Sequence, residues 1–138
     1  MNIDKFKHQH VTILDDIGAL RGLVQAGIRA HASDIAQRII AMSGTIKLHL
    51  AVEDRTLYPA LESCGDAQLA RMSALYRGEM KGIHDAYLAF AAKWNNAHRL
   101  EEDGETFRAE ANAVLKLLYE RMKKEDREFY PAIEAAHP

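Results

Sequence analysis

The sequence predicts an all-α protein, an antiparallel up-down-up-down four-helix bundle in which residues 1–138 form a single domain. Three observations support this fold class. Apolar residues recur at alternating steps of three and four residues in four separate segments. Alanine, leucine, glutamate, lysine, arginine and methionine dominate those segments, and all of them favour helix. Short polar links separate the segments, and none shows the alternating pattern of a strand.

The first two helices are predicted from the seam of residues that each would present to the core. The first helix fades at Gly27, and its seam comprises Ile3, Phe6, His10, Ile13, Ile17, Leu20 and Val24. The second helix has Ser33 as its predicted N-cap and ends at the turn of residues 63–66. Its seam comprises Ile35, Ile39, Met42, Ile46, His49, Glu53, Thr56 and Ala60.

The other two helices follow the same spacing. The third ends before the polar stretch of residues 95–104, and its seam comprises Leu69, Ser73, Tyr76, Met80, Ile83, Tyr87, Phe90 and Trp94. The seam of the fourth comprises Phe107, Ala111, Val114, Leu118, Arg121 or Met122, Glu125, Phe129 and Ile133. Pro59 and Pro131 lie inside the second and fourth patterns. Because proline lacks an N–H and clashes with the carbonyl four residues back, a kink or a helix end is expected at each.

Composition and charge exclude several kinds of partner. The formal net charge of -2, with both signs interleaved, provides no basic surface for nucleic acid. Residues 1–10 lack the apolar core of a signal peptide, and no apolar run could span a bilayer. Cys64 is the only cysteine, which excludes a disulfide framework and favours a reducing compartment. We therefore expect a cytoplasmic protein without nucleic-acid or membrane partners. A homodimer is compatible with the sequence, because the exposed part of the aromatic third helix could pair with a second copy.

Polar residues interrupt the seam, although an unpaired buried polar group costs roughly 1–3 kcal/mol. His10 lies near the start of the first helix, and His49, Glu53 and Glu125 lie late in the second and fourth helices. In an up-down bundle these parts of the helices lie at the same level, so the four residues would converge at one end of the core. His84 lies beside the seam near the middle of the third helix and is the outlying member. Glu125 and its neighbour Asp126 are alternatives for one position. The predicted metal ligands are His10, His49, Glu53, His84, Glu125 and Asp126.

These residue types indicate which metals would suit the site. Three imidazoles with one or two carboxylates suit Fe(II), Zn(II) or Mn(II). Five ligands could hold a lopsided pair of ions, whereas three or four would hold a single ion with an open position for water or O₂. The other histidines carry no such pattern and are predicted to be ordinary surface or tucked residues: His8, His31, His98 and His137.

An internal duplication relates the second and fourth helices. Residues 53–62 (EDRTLYPALE) recur as residues 125–134 (EDREFYPAIE), with seven of the ten positions identical. The two segments therefore look like mates that present Glu53 and Glu125 equivalently to the core. A shared way of packing and ending the helix at Tyr-Pro-Ala is also expected.

On these motifs the sequence resembles the hemerythrin-like (HHE cation-binding) family over nearly the whole chain. The resemblance rests on His10 within Phe6-x-x-x-His10-x-x-Ile13-Leu14, on His49-x-x-x-Glu53 running into Leu57-Tyr58-Pro59, and on the second stretch that ends Phe129-Tyr130-Pro131. It implies a four-helix bundle with a non-haem iron centre of one or two ions, held by histidines and bridging carboxylates. It also implies roles in oxygen binding, iron handling, or sensing of oxygen and other small reactive species.

The sequence departs from the family pattern at two positions. Met80 and Arg121 stand where the family has histidines, so the ligand set is incomplete. Arginine stays protonated and cannot bind a metal, but its guanidinium pairs with carboxylates. Arg121 could therefore replace the charge of the metal, or it could point outward and leave Met122 inside. Tyr87 and Tyr119 could supply hydroxyls to the site.

Two functions from different classes follow. The first is a metal-binding protein of the non-haem iron type. The alternative is a metal-free bundle that serves as an interaction or regulatory domain, with Arg121 replacing the metal. Catalysis is not predicted, because no nucleophile or phosphate-binding loop is recognisable, and no inward Glu-x-x-His pair indicates ferritin-like oxidase chemistry.

Overall fold

The computed structural model describes residues 2–136, which are helical almost throughout and contain no strand. The all-α prediction is confirmed for this part of the chain. In chain order the α-helices are α1 (Asp4–Ala26), α2 (Ala32–Val52), α3 (Tyr58–Glu62), α4 (Ala67–Trp94), α5 (Ala97–Glu102), α6 (Gly104–Lys124) and α7 (Tyr130–Ala136). Two π-helical segments complete the fold: Glu53–Leu57 joins α2 to α3, and Glu125–Phe129 joins α6 to α7.

The four long helices α1, α2, α4 and α6 pack in a ring. Helices α1 and α4 each contact both α2 and α6. Polar contacts mark these interfaces along their length. The Tyr87 hydroxyl on α4 donates to the Ile39 carbonyl on α2 at 2.9 Å, and Lys93 on α4 pairs with Glu110 on α6 at 2.8 Å.

The seam predicted for the first, third and fourth helices is buried, except that Ile83 is half-buried. Along α1, for example, Ile13, Ile17 and Leu20 are almost completely buried.

The seam predicted for the second helix is buried only as far as Glu53. Beyond it the prediction is wrong, because the π-helical turn adds one residue: Thr56 is exposed and Ala60 is half-buried, and Leu57 and Leu61 take the buried positions.

Apolar residues form two clusters, and a buried polar layer lies between them. On α1 His10 separates Ile13 of the larger cluster from Phe6 of the smaller one. The polar layer is thus enclosed by apolar side chains above and below.

The predicted breaks at Pro59 and Pro131 take the form of a change in helix type. In each π-helical segment the closing N–H belongs to a tyrosine and bonds five residues back, from Tyr58 to Glu53 and from Tyr130 to Glu125. The wider turn before each proline accommodates the proline ring, so the chain continues as α3 and α7. Neither proline ends its helical stretch.

Helix ends differ from the sequence prediction in two places. Helix α2 begins at Ala32, so Ser33 lies inside its first turn and makes no cap. The polar stretch after α4 contains α5, because the Asn96 side chain accepts hydrogen bonds from the N–H groups of His98 and Arg99 and starts a short helix. Within residues 2–136, none of the helices combines the length and the apolar character that crossing a bilayer requires.

Candidate metal centre

Four side chains converge in the buried polar layer: His10, His49, Glu53 and Glu125. Each is at most 1% exposed. Each offers one ligand atom, and all four of these atoms lie within 4.8 Å of one another. Because α1, α2 and both π-helical segments contribute, the cluster depends on the packed bundle and not on one local motif.

The first half of the cluster is local in sequence. His49 on the last turn of α2 and Glu53 at the start of the first π-helical segment lie four residues apart and therefore on one face. Their Nε2 and Oε1 atoms are 2.5 Å apart. His10 on α1 brings its Nε2 to 3.2 Å from the Nε2 of His49.

Hydrogen bonds on the outer side of each imidazole orient the two rings. His10 Nδ1 donates to Asp126 Oδ1 at 2.9 Å, and His49 Nδ1 donates to Gln9 Oε1 at 2.6 Å. With Nδ1 carrying the proton, the Nε2 of a neutral ring presents its lone pair to the centre of the cluster. Histidines that bind metals are oriented in this way.

The two carboxylates are arranged similarly, with one oxygen outward and one inward. Glu53 Oε2 accepts from the Tyr58 hydroxyl at 2.7 Å, and Glu125 Oε2 accepts from Arg121 Nε at 3.2 Å. Glu125 Oε1 is buried without a hydrogen-bond partner. His10 Nε2 lies 3.0 Å from it and can donate to it only when the ring is protonated, because Nδ1 already donates to Asp126. When both rings are neutral, two lone-pair nitrogens and two carboxylate oxygens face one another, an arrangement that fits a cation.

Arg121 is buried beside the cluster and does not point outward. It precedes Glu125 by four residues, just as His49 precedes Glu53, so it is the duplicated counterpart of His49. Its guanidinium contacts Glu79 at 3.1 Å and the Tyr76 carbonyl, and it lies 4.3 Å from the Tyr76 ring centroid. The second half of the cluster therefore holds a fixed cation where the first half holds an imidazole.

The pKa values of the cluster reflect its excess of carboxylates. Burial opposes protonation of His10, but the hydrogen bond to Asp126 and the charge of Glu125 outweigh it and raise the pKa of His10 to about 9. Burial raises the pKa of Glu53, but the contacts with His49 and Tyr58 more than offset it, and that pKa is lowered. A positive charge at the centre is therefore favoured, whether it is a proton or a metal ion.

The shift at His10 predicts a pH dependence for the metal-free protein. The pKa of His10 is raised from 6.5 to about 9 in the folded state. The stabilisation is therefore fully present below the unfolded value and is lost as the pH rises through the folded value. We expect the urea midpoint of the metal-free protein to fall between about pH 7 and pH 10.

The variant Asp126→Asn tests the cause of that pH dependence. It keeps the acceptor oxygen but removes the charge, so the fall should move to lower pH. An unchanged midpoint from neutral to alkaline pH would contradict the protonation assigned to His10.

The predicted ligands divide into an inner and an outer group. The structure brings His10, His49, Glu53 and Glu125 together, and Asp126 lies behind His10 with its side chain 33% exposed. His84 is outside the cluster: it lines a surface cleft of about 670 Å³ between α4 and the α2–α3 stretch. Met80 lies in the core and also borders that cleft.

Three residues of the site were not identified from the sequence: Gln9, Tyr58 and Tyr130. The hydroxyls of Tyr87 and Tyr119 had been expected there, but Tyr87 bonds a backbone carbonyl and Tyr119 is 41% exposed. Tyr58 and Tyr130 recur at the same place in the duplication, and that repetition was the available signal.

The remaining histidines make no contact with the cluster where the structure describes them. His8 and His98 are exposed and His31 is half-buried, as their lack of pattern predicted. His137 lies outside the described residues.

The fold and the site together define a class: helical bundles that enclose histidines and carboxylates in a buried layer. The family model for the hemerythrin HHE cation-binding domain matches residues 1–133. The chain belongs to this family. Comparison with curated proteins and with solved structures finds no match.

Proposed function

We propose that this protein binds a single metal ion, with iron(II) as the first candidate, through His10, His49, Glu53 and Glu125. The observation that carries the proposal is the convergence of four lone-pair atoms within 4.8 Å, including the unpartnered Glu125 Oε1. A divalent cation would satisfy all four atoms at once. The cation-binding description of the family agrees with this assignment.

The donor set limits the choice of metal. Two imidazole nitrogens with two carboxylate oxygens suit iron(II), zinc and manganese, whereas the absence of sulfur ligands in the cluster disfavours copper(I). Iron is put first because the resemblance to hemerythrin-like proteins implies a non-haem iron centre.

The proposal of one ion instead of two rests on the second half of the cluster. Met80 and Arg121 stand where a second ion would require imidazoles, and Arg121 already neutralises Glu125 Oε2 at 3.2 Å. A second cation beside a buried guanidinium would meet strong repulsion. Arg121 therefore replaces one metal ion and shapes the site for the other.

The bundle arrangement that supports this site is the up-down-up-down form. Contacts between neighbouring helices support antiparallel packing. Gln9 of α1 contacts His49 of α2, and further along α1 Asp16 contacts Arg38, which lies earlier in α2. The same holds between α4 and α6, where Arg121 meets Glu79 and Lys93 meets Glu110. We take the whole chain as one domain built in this way.

Bound iron(II) would supply redox chemistry and a position for O₂ or another small diatomic. The residues of the chain restrict what reaches it, because the four ligands are at most 1% exposed. The surface cleft of about 670 Å³ is lined by Tyr58, whose hydroxyl bonds Glu53, and by Met80. Enclosure of this kind supports a role in sensing oxygen or reactive species, or in iron handling, over turnover of a large substrate.

The test is the metal content of the purified protein. After anaerobic loading with Fe(II) and removal of unbound ions, we expect one iron per chain. Two per chain would contradict the role given to Arg121, and none would exclude the metal site.

A metal-free bundle is the second candidate, and one observation favours it. Arg121 and a protonated His10 together supply two positive charges to the buried carboxylates, so the cluster has countercharge without a metal. On this alternative the domain would act through its surface as an interaction or regulatory module, and iron loading would leave its thermal stability unchanged.

A further inference from the structure

Tyr130 occupies the same small volume as the four ligand atoms. Its hydroxyl lies 3.0 Å from His10 Nε2 and 3.3 Å from Glu53 Oε1. The four ligand atoms themselves lie up to 4.8 Å apart, so the hydroxyl is as close to two of them as they are to one another. The side chain is completely buried, and its ring lies 4.9 Å from that of His10.

Tyr58 provides a comparison within the same molecule. It is the duplicated counterpart of Tyr130 and is also buried. Its hydroxyl donates to Glu53 Oε2, whereas His49 and Tyr130 both contact the other oxygen, Oε1. The two tyrosines therefore differ in one respect: Tyr130 reaches the inner side of the cluster, and Tyr58 remains on the outer side.

We propose that Tyr130 is a fifth ligand, and that its phenolate oxygen binds the metal in the ferric state. The proposal rests on the metal site proposed above. Ferric iron accepts phenolate oxygen, as tyrosine-ligated haem proteins show. On binding, the phenolic O–H bond breaks, an O–Fe bond forms, and the proton leaves to solvent with no change in oxidation state. In the ferrous state the hydroxyl would keep its proton and donate to Glu53 Oε1, because the lone pair of His10 Nε2 would be bound to the metal.

The consequence is a ligand set that depends on the oxidation state of the iron. Phenolate binding favours the ferric ion, because it adds a negative oxygen to a centre of higher charge. Loss of Tyr130 should therefore make the bound iron easier to reduce. Tyr58, which bonds only the outer oxygen of Glu53, should affect the iron much less.

The experiment is visible absorption of iron-loaded protein after oxidation by air, with iron per chain measured on the same samples. Ferric phenolate gives a charge-transfer band in the visible range. We expect the band in the native protein and in Tyr58→Phe, and its loss in Tyr130→Phe at unchanged iron content. Resonance Raman excitation of the native protein within the band should show tyrosinate ring modes, a result that does not depend on how well a variant folds.

The possible results separate this proposal from the metal site itself. Oxidised native protein that contains iron but lacks the band would overturn the role of Tyr130 and leave the metal site standing. If the band survived in Tyr130→Phe and disappeared in Tyr58→Phe, the phenolate ligand would be Tyr58, and the proposal for Tyr130 would be wrong. Native protein that takes up no iron would overturn both proposals.

Discussion

Replacing Glu53 with glutamine is expected to lower the affinity for iron by more than about tenfold. Removing a residue that merely hydrogen-bonds a metal ligand already lowers metal affinity by about tenfold or more, and Glu53 is itself a proposed ligand. Glutamine has nearly the shape of glutamate, and the Tyr58 hydroxyl can still donate to its carbonyl oxygen. What is lost is the negative oxygen that faces His49 at 2.5 Å. Iron per chain after anaerobic loading measures the effect, and circular dichroism checks that the bundle remains folded.

Glu62→Gln is the matched control for this prediction. Glu62 belongs to the same duplicated segment but is exposed and pairs with Arg77 on the surface. It should bind iron as the native protein does. If Glu53→Gln retained the iron content of Glu62→Gln, Glu53 would not be a ligand.

Replacing Arg121 with methionine is expected to reduce the free energy of unfolding of the metal-free protein by about 3–5 kcal/mol, because it leaves a buried carboxylate without its countercharge. The guanidinium is almost completely buried and contacts Glu125, Glu79 and the Tyr76 carbonyl. Methionine retains much of the apolar volume of the side chain, so the loss reports mainly on charge and hydrogen bonds. Urea denaturation of metal-free protein measures it.

Arg127→Met controls for the loss of an arginine as such. Arg127 is exposed on the second π-helical segment, six residues beyond Arg121. Its replacement should change the free energy of unfolding by no more than about 0.5 kcal/mol. Equal stabilities of the two variants would mean that Glu125 receives its countercharge from another group.

Helix positions and their buried faces could be predicted from the sequence because burial follows a regular spacing along a helix. The seam residues of α1, α2, α4 and α6 are buried as expected except the half-buried Ile83, whereas Thr56 and Ala60, predicted to continue the seam of α2, are not buried. The two π-helical segments could not be predicted, because they add a residue to one turn and leave no apolar pattern of their own. Pro59 and Pro131 indicated where these segments lie, but proline predicted a kink or a helix end. Instead the helix continues past each proline through one wider turn.

The site shows the same division. The convergence of His10, His49, Glu53 and Glu125 could be predicted because they stand on the seam. His84 stands beside the seam, and one position on a helix is enough to turn a side chain from the core to the cleft.

The outer contacts of the site could not be derived from spacing within one helix. Asp126 and Gln9 each neighbour a residue of the cluster in sequence, yet each forms a hydrogen bond with an imidazole on another helix. Whether Arg121 pointed inward was likewise left open by the sequence, and packing against Tyr76 on α4 settles it.

The proposed site binds one metal ion through His10, His49, Glu53 and Glu125, and that ion takes the place of the proton held by His10. Anaerobic calorimetric titration of the metal-free protein with Fe(II) near neutral pH, in buffers of different ionisation enthalpy, tests this claim most directly. Because the pKa of His10 is raised to about 9, the ring is protonated before binding and must lose that proton to become a ligand. We expect saturation at one ion per chain with release of about one proton. A titration without binding, or binding without proton release, would contradict the claim.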